Sequence, residues 1–238
     1  MGRIGRAIKV GVGMMKYSLA VKMNLVLMIL FMVLGIFYEV MMMFSSGESS
    51  PVAFNGIWML ALAPMYAIQL MYGISLSGVV QSSSAKRTLL VDSSTVFKAI
   101  SEILSFLILV IARIVACNKQ GGANSTMLFG LVFYGIFSLV LSVYTVVIYR
   151  YPVIGYAVLL PLLIIMMVGA IFVGRDTVAL NPVRVLDIIG IGNNFTVCLA
   201  IGSGIIVLDI VLFYVLSAVL YKVPLSERAF KQLLARAK

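Results

Sequence analysis

Apolar residues in this chain occur in long runs that are separated by short polar stretches. Runs of about 20 residues are long enough to cross roughly 30 Å of hydrocarbon as an α-helix. Six such runs lie near residues 23–44, 56–80, 99–117, 126–149, 153–174 and 196–221. The pattern predicts an all-α membrane protein whose transmembrane domain, residues 23–221, contains six transmembrane helices.

The first 22 residues show a different pattern, with apolar and basic positions alternating at helical spacing. On a helical wheel the apolar side carries Ile4, Ile8, Val12, Met15 and Leu19, and the other side carries Arg3, Arg6, Lys9 and Lys16. This arrangement is typical of a helix that lies flat in a membrane interface. Because three glycines interrupt the segment, a frayed basic leader is the alternative.

Composition agrees with a membrane protein. Hydrophobic residues make up 63% of the 238 residues, charged residues only 11%, and the mean hydropathy is +1.15. A soluble domain of this length has a much more polar composition. The net charge of +10 is explained by contact with anionic lipid headgroups and does not require a nucleic acid partner.

Basic residues between the runs predict the orientation. They gather at both termini, in the loop 81–98 and at Arg150, whereas the opposite flanks hold only Lys119, Arg175 and Arg184. Lys and Arg near helix ends remain preferentially on the cytoplasmic side. Both termini are therefore predicted to be cytoplasmic, with residues 222–238 as a cytoplasmic tail.

The longest polar stretch is the loop 81–98, QSSSAKRTLLVDSSTVFK. Serines that can cap a helix precede AKRTLLV, which predicts a short helix with Leu89, Leu90 and Val91 clustered behind Lys86 and Arg87. A simple connector between two helices needs only about two to eight residues. The extra length favours a cytoplasmic element that docks on a partner, and a polar loop facing lipid headgroups is the alternative.

A second long connection, residues 175–194, lies on the predicted outer side. Asn181 and Pro182 are typical of a helix start, and Gly190 is typical of a helix end. The segment 182–189 is therefore predicted to be a short external helix. Since Val183, Leu186 and Ile189 are apolar, this helix is expected to cover the external mouth of the bundle.

Glu39, Arg113 and Asp209 lie deep inside the predicted spans. Counting from the predicted inner ends at about 1.5 Å per residue places all three roughly 20 Å into the membrane. A lone charge at this depth costs about 2.5–3.5 kcal/mol on insertion scales. We therefore expect one layer of mutually neutralising charges, which either holds the helices together or lines a translocation path for a cationic peptide.

Catalytic chemistry is disfavoured by the residue types present. The chain has no histidine and only two cysteines, so it lacks the usual general base and cannot form a structural zinc site. No G-x-x-x-x-G-K-[ST] motif is present to hold ATP phosphates. We therefore expect no enzyme activity and no metal or cofactor in this chain. Cys117 and Cys198 are compatible with a disulfide or with two separate thiols.

The order of these elements resembles the six-helix permease subunits of ABC-2-type transporters, in particular exporters of phenol-soluble-modulin-like peptides in Gram-positive bacteria. GRAIKVGVGMMKYSLAVK resembles the family's elbow helix, and KRTLLVDSSTVFKAISEIL resembles its coupling loop entering the third span. NPVRVLDIIGIGN is similar to the external helix before the sixth span, and the tail PLSERAFKQLLARAK also fits.

The resemblance implies a homodimer in the bacterial cell membrane, with separate ATP-binding subunits that hold ATP and Mg. It implies export of an amphipathic peptide or a lipid-like cargo. In this interpretation the ATPase contacts Lys86, Arg87, Leu89, Leu90 and Val91, and Pro182, Val183, Leu186 and Ile189 form the external gate. The alternatives are the solute-capturing membrane subunit of a vitamin-type importer and a secondary transporter that does not use ATP.

Overall fold

The structure, a computed structural model, describes residues 2–15, 19–44, 52–75, 80, 85–120, 125–172 and 194–223. These residues form seven helices, without strands in the described ranges. The helices are α1 (Arg3–Met15), α2 (Leu19–Phe44), α3 (Val52–Ser75), α4 (Ala85–Gln120), α5 (Ser125–Ile148), α6 (Pro152–Phe172) and α7 (Phe195–Leu220).

Helices α2 to α7 are long and apolar enough, by length and composition, to cross a membrane. The prediction of an all-α protein with six membrane-spanning helices is therefore confirmed at this level. The predicted external helix 182–189 and almost all of the tail 222–238 lie outside the described residues. The cytoplasmic location of the termini stays a prediction.

The largest difference from the predicted boundaries concerns α4. It begins at Ala85, whereas the third apolar run begins near residue 99. Three stretches follow one another without a break: Ala85–Arg87, a π-helical Thr88–Ser93, and Ser94–Gln120. The apolar part alone, Thr88–Lys119, has 32 residues, which corresponds to roughly 48 Å of helix. Helix α4 is therefore considerably longer than the hydrocarbon thickness of a bilayer.

The core of the bundle lies between α3, α4, α5 and α7. Trp58 of α3 packs edge-on against Phe137 of α5 at 4.2 Å between ring centroids, and against Phe133 at 5.4 Å. Helix α2 packs closely along α3, where Gly35 leaves room for the Leu60 side chain. Most described side chains of α2 and α6 are exposed, as expected for helices that face lipid.

Helix α1 packs against the beginning of α4. Ala7 is fully buried there, and the Ser93 hydroxyl donates a hydrogen bond to the Ala7 carbonyl oxygen at 2.8 Å. On the outside of α1, Ile4, Ile8 and Val12 form an exposed apolar row. One face of α1 therefore packs against the bundle. A second face presents an apolar surface of the kind that an interfacial helix inserts into a membrane.

Candidate functional site: buried ion pairs along helix α4

One face of α4 carries a row of buried polar side chains. From residue 94 to 105 they recur at spacings of three or four residues, and the last follows two turns later, so they lie on one side of the helix. At most 5% of any of them is exposed. The row consists of Ser94, Lys98, Ser101, Glu102, Ser105 and Arg113. A polar stripe of this length inside an apolar bundle requires partners on the neighbouring helices, because unpaired buried charges are costly.

Near the start of this row, Lys98, Glu102 and Asp209 form a fully buried triad. The Lys98 Nζ atom lies 2.5 Å from Glu102 Oε2, one helical turn away, and 2.9 Å from Asp209 Oδ2 on α7. All three side chains are 0% exposed. The ring of Phe213 also faces the lysine, with its centroid 5.6 Å from Nζ. A single ammonium group therefore holds two carboxyl groups from different helices.

Helix α5 supplies hydroxyl groups to both carboxyl groups of the triad. Ser138 donates to Glu102 Oε1 at 2.8 Å, and Ser142 donates to Asp209 Oδ2 at 3.1 Å. Tyr134 donates to the backbone carbonyl of Glu102 at 3.3 Å. The triad thus connects α4, α5 and α7 through hydrogen bonds that include charged groups, the stronger class of hydrogen bond.

A second ion pair lies farther along α4. Arg113 Nη2 donates to Glu39 Oε1 of α2 at 3.2 Å, and both side chains are buried. Glycines make room for this pair. A Cβ atom on Gly56 would collide with the Glu39 carboxyl group, and one on Gly130 would lie 3.4 Å from Arg113 Nη2. The pair therefore depends on close backbone approach by α3 and α5.

Arg150 is also buried, although its position between two spans predicts a solvent-facing flank. Its Nε donates to the Leu220 carbonyl oxygen at 2.8 Å, and its Nη1 donates to the Tyr72 hydroxyl at 3.3 Å. Because the last carbonyl groups of a helix have no partners within that helix, Arg150 closes the end of α7 and ties it to α3 and to the α5–α6 connection.

The expected single layer of Glu39, Arg113 and Asp209 is wrong. Glu39 and Arg113 do pair, but Asp209 pairs with Lys98. Lys98 and Arg113 are 15 positions apart on α4, which is about 22 Å along the helix axis. The depth estimate fails because α4 starts well before residue 99, so counting from that residue places Arg113 too near the helix start.

The expectation that Leu89, Leu90 and Val91 form an exposed docking edge is also wrong. Their exposed fractions are 0%, 2% and 0%. They belong to the π-helical stretch of α4, where Leu89 packs with residues of α3 and Leu90 packs in a cluster with Phe213 of α7. Of the predicted coupling residues, Lys86 is half-buried and Arg87 is exposed. Only these two basic residues remain accessible from outside.

Sequence reasoning missed Lys98, Glu102, Ser138 and Ser142 as members of a charged site. A signal was present: Lys98 and Glu102 are four positions apart, the spacing at which opposite charges pair on a helix. Ser138 and Ser142 have the same spacing, which resembles a small-residue packing pair. Their actual role is to donate hydrogen bonds to the carboxyl groups.

The arrangement can hold positive charge, but it is not a metal site of the usual kind. Among the described residues there is no group of three or more His, Cys, Asp or Glu side chains that could hold a metal ion. Cys117 and Cys198 do not form a disulfide with each other. The predicted gate residues Pro182, Val183, Leu186 and Ile189 lie outside the described residues.

Comparisons of this chain with protein-family models, with curated proteins and with solved structures find no match.

Proposed function

We propose that this chain is the permease subunit of an ATP-driven exporter in a bacterial cell membrane, acting as a homodimer with a separate ATPase subunit. One observation carries the proposal. Helix α4 joins an accessible basic end, at Lys86 and Arg87, to both buried ion clusters of the bundle. A protein that pushes or turns this end would also move Lys98 and Arg113, which lie on the same helix.

The dimensions of α4 support this role. Arg87 precedes Lys98 by about 17 Å and Arg113 by about 39 Å along the helix, at 1.5 Å per residue. Between Arg87 and the triad lies the π-helical stretch Thr88–Ser93. Single π-helical turns within α-helices are frequent at functional sites. This turn is a place where α4 can change its rotation without leaving the bundle.

Buried ion pairs favour a few distinct positions of the helices, because intermediate positions would leave charges unpaired. Removing one partner of a buried pair costs about 3–5 kcal/mol, so α4 moves favourably only when each charge exchanges one partner for another. A transport cycle with two such arrangements fits alternating access. In this scheme the cytoplasmic ATPase supplies the energy that moves α4 between them.

The proposed cargo is an amphipathic peptide with lysine side chains, and a lipid-like cargo is the second option within this class. When α4 moves, Lys98 leaves Glu102 or Asp209, and the vacated carboxyl group accepts a cargo ammonium group. Intramembrane carboxylates commonly mark substrate or ion pathways. The apolar surroundings of the triad, including Phe213, suit the apolar side of such a peptide.

Isolation of the tagged chain from its native membranes tests this proposal. We expect an ATP-binding subunit to copurify, and we expect the reconstituted complex to move a cationic amphipathic peptide outward when ATP is supplied. A variant ATPase that lacks its phosphate-binding lysine serves as the control. Isolation of the chain without an ATPase, together with ATP-independent transport, would contradict the proposal.

A secondary transporter is the second candidate, because the triad contains two carboxyl groups and one lysine. Intramembrane carboxyl groups serve as proton relays in such carriers. Proteoliposomes containing only this chain distinguish the two functions. Accumulation driven by a pH gradient favours the carrier, whereas ATP-dependent export with the ATPase favours the permease. Uptake of a small solute by the complete complex would favour the vitamin-type importer.

A further inference from the structure

The two buried ion clusters differ in their balance of charge. Glu39 and Arg113 form a pair of one acid and one base. The triad has two carboxyl groups, Glu102 and Asp209, and one ammonium group, Lys98. With every group ionised, the triad would carry one uncompensated negative charge at a position without solvent exposure.

The contacts around the triad show how its oxygens are used. Lys98 and the two α5 serines contact three of the four carboxyl oxygens. The fourth, Asp209 Oδ1, is buried and has no hydrogen-bond partner among the described residues. Both carboxyl groups contact the same Lys98 Nζ atom, Glu102 at 2.5 Å and Asp209 at 2.9 Å, so the two acids lie together in one buried site. A buried charged oxygen without a hydrogen-bond donor is costly, which favours the protonated form of one carboxyl group.

Among the residues that the structure describes, the other buried charged groups do not compensate the triad by contact. Arg113 binds Glu39 about 22 Å farther along α4. Arg150 binds the carbonyl of Leu220, eleven positions after Asp209 and therefore roughly 16 Å along α7. The titratable neighbour on α5 is Tyr134, whose hydroxyl donates to the Glu102 carbonyl. It supplies no positive charge.

We infer that the Lys98–Glu102–Asp209 triad is a proton-binding site that holds one proton, on Glu102 or Asp209, at neutral pH. The proton makes the buried cluster electrically neutral, and two like-charged carboxyl groups at one site do not both ionise readily. The proton follows from the charges and contacts of the triad alone. The proton-binding site is therefore the same whether the chain is an exporter permease or a secondary transporter.

Infrared spectroscopy of the purified protein in lipid at neutral pH tests the inference. A protonated carboxyl group gives a C=O stretching band that is separate from the bands of ionised carboxylates. We expect one such band, sensitive to exchange into deuterated water or to isotope labelling. Incorporation of ¹³C-carboxyl aspartate or ¹³C-carboxyl glutamate should shift the band in at least one of the two samples. Absence of the band from the parent protein would overturn the inference.

Variants assign the band to the triad. Asp209→Asn and Glu102→Gln each leave one carboxylate paired with Lys98, so the band should disappear. Ser142→Ala removes a hydrogen bond without changing the charge, and the band should keep its intensity while changing its frequency. If Asp209→Asn or Glu102→Gln does not fold, the inference is still tested by the band of the isotope-labelled parent and by the band of Ser142→Ala. A band that none of these changes affects lies elsewhere and would refute the proposed site.

Discussion

At the scale of single residues, Arg113 and Asp209 depend differently on their partners. Replacing Arg113 by Gln leaves the Glu39 carboxylate buried without its guanidinium, and we expect this to cost about 3–5 kcal/mol of the free energy of unfolding. Asp209→Asn keeps Lys98 paired with Glu102, and an amide oxygen can still accept from Ser142. We therefore expect a loss of only about 1–2 kcal/mol, the size of a weakened hydrogen bond.

Reversible unfolding in mixed micelles with increasing denaturing detergent measures this difference. Glu39→Gln together with Arg113→Gln is the matched control, because it removes both charges and should recover part of the stability lost in Arg113→Gln. Equal destabilisation by the two variants would contradict the prediction that Arg113→Gln leaves a buried charge unpaired and Asp209→Asn does not.

Two neighbouring glycines of α7 provide another residue-scale test. A Cβ atom on Gly202 would lie 2.8 Å from the Leu131 carbonyl oxygen of α5, whereas one on Gly204 would meet nothing within 4 Å. Gly202→Ala should therefore separate α5 from α7 and destabilise the protein by about 1–3 kcal/mol. Gly204→Ala should be neutral or slightly stabilising, since Ala favours helix.

Thermal unfolding of the two variants in the same detergent provides the comparison. The expected result is a lower midpoint for Gly202→Ala and an unchanged or higher midpoint for Gly204→Ala. Equal midpoints would mean that α5 and α7 are not in close backbone contact at this level.

At the scale of elements, substitutions near the beginning of α4 test whether the segment after Lys86 is buried core or an exposed docking surface. Leu89 is fully buried, so Leu89→Ala should reduce stability by about 2–5 kcal/mol. Arg87 is exposed and its guanidinium lies 5.9 Å from the Tyr221 ring centroid, so Arg87→Ala should reduce stability by no more than about 1 kcal/mol. Denaturation of both variants without any partner present measures these effects. A fully stable Leu89→Ala variant would restore the docking-edge interpretation.

The six spans could be predicted because each is an uninterrupted apolar run, but the early start of α4 could not. Ser93, Ser94 and Thr95 are typical of a loop or a helix cap. In the structure, the Ser94 and Thr95 hydroxyls donate to the carbonyl oxygens of Leu90 and Val91, four residues earlier, at 2.6 and 2.7 Å. These internal bonds allow polar residues within a buried helix, and local sequence rules do not distinguish them from a cap.

The candidate site was only half predictable for a similar reason. Glu39, Arg113 and Asp209 are conspicuous because each interrupts an apolar run. The partner of Asp209 is Lys98, 111 positions away along the chain, and it is identified only when α4 and α7 are packed together. Lys98 itself lies in the polar stretch 81–98, where a lysine at a membrane boundary is an ordinary feature.

At the scale of the whole molecule, exposed apolar rows on α2, α6 and α7 surround a polar stripe that is hidden inside. This is the reverse of a soluble protein and suits a bundle whose solvent is lipid. Helix α1 adds an exposed apolar row beside its basic residues at one end of the bundle. Helix α1 packs against the π-helical stretch Thr88–Ser93, which follows the accessible basic end of α4.

In the proposed function, force applied to the Lys86–Arg87 end of α4 drives transport. Charge reversal at both residues, Lys86→Glu with Arg87→Glu, should weaken attachment of the ATPase while leaving the buried core intact. The matched control is Lys119→Glu, a charge reversal at an exposed residue near the opposite end of the same helix.

The most direct measurement is ATP-dependent peptide transport in proteoliposomes that contain equal amounts of folded parent, double reversal or Lys119→Glu. We expect the double reversal to lose at least tenfold in transport rate, equivalent to about 1.4 kcal/mol of coupling. Lys119→Glu should stay within about twofold of the parent, since surface substitutions have small effects. Parent-level transport by the double reversal, or an equal loss in Lys119→Glu, would contradict the proposed role of α4.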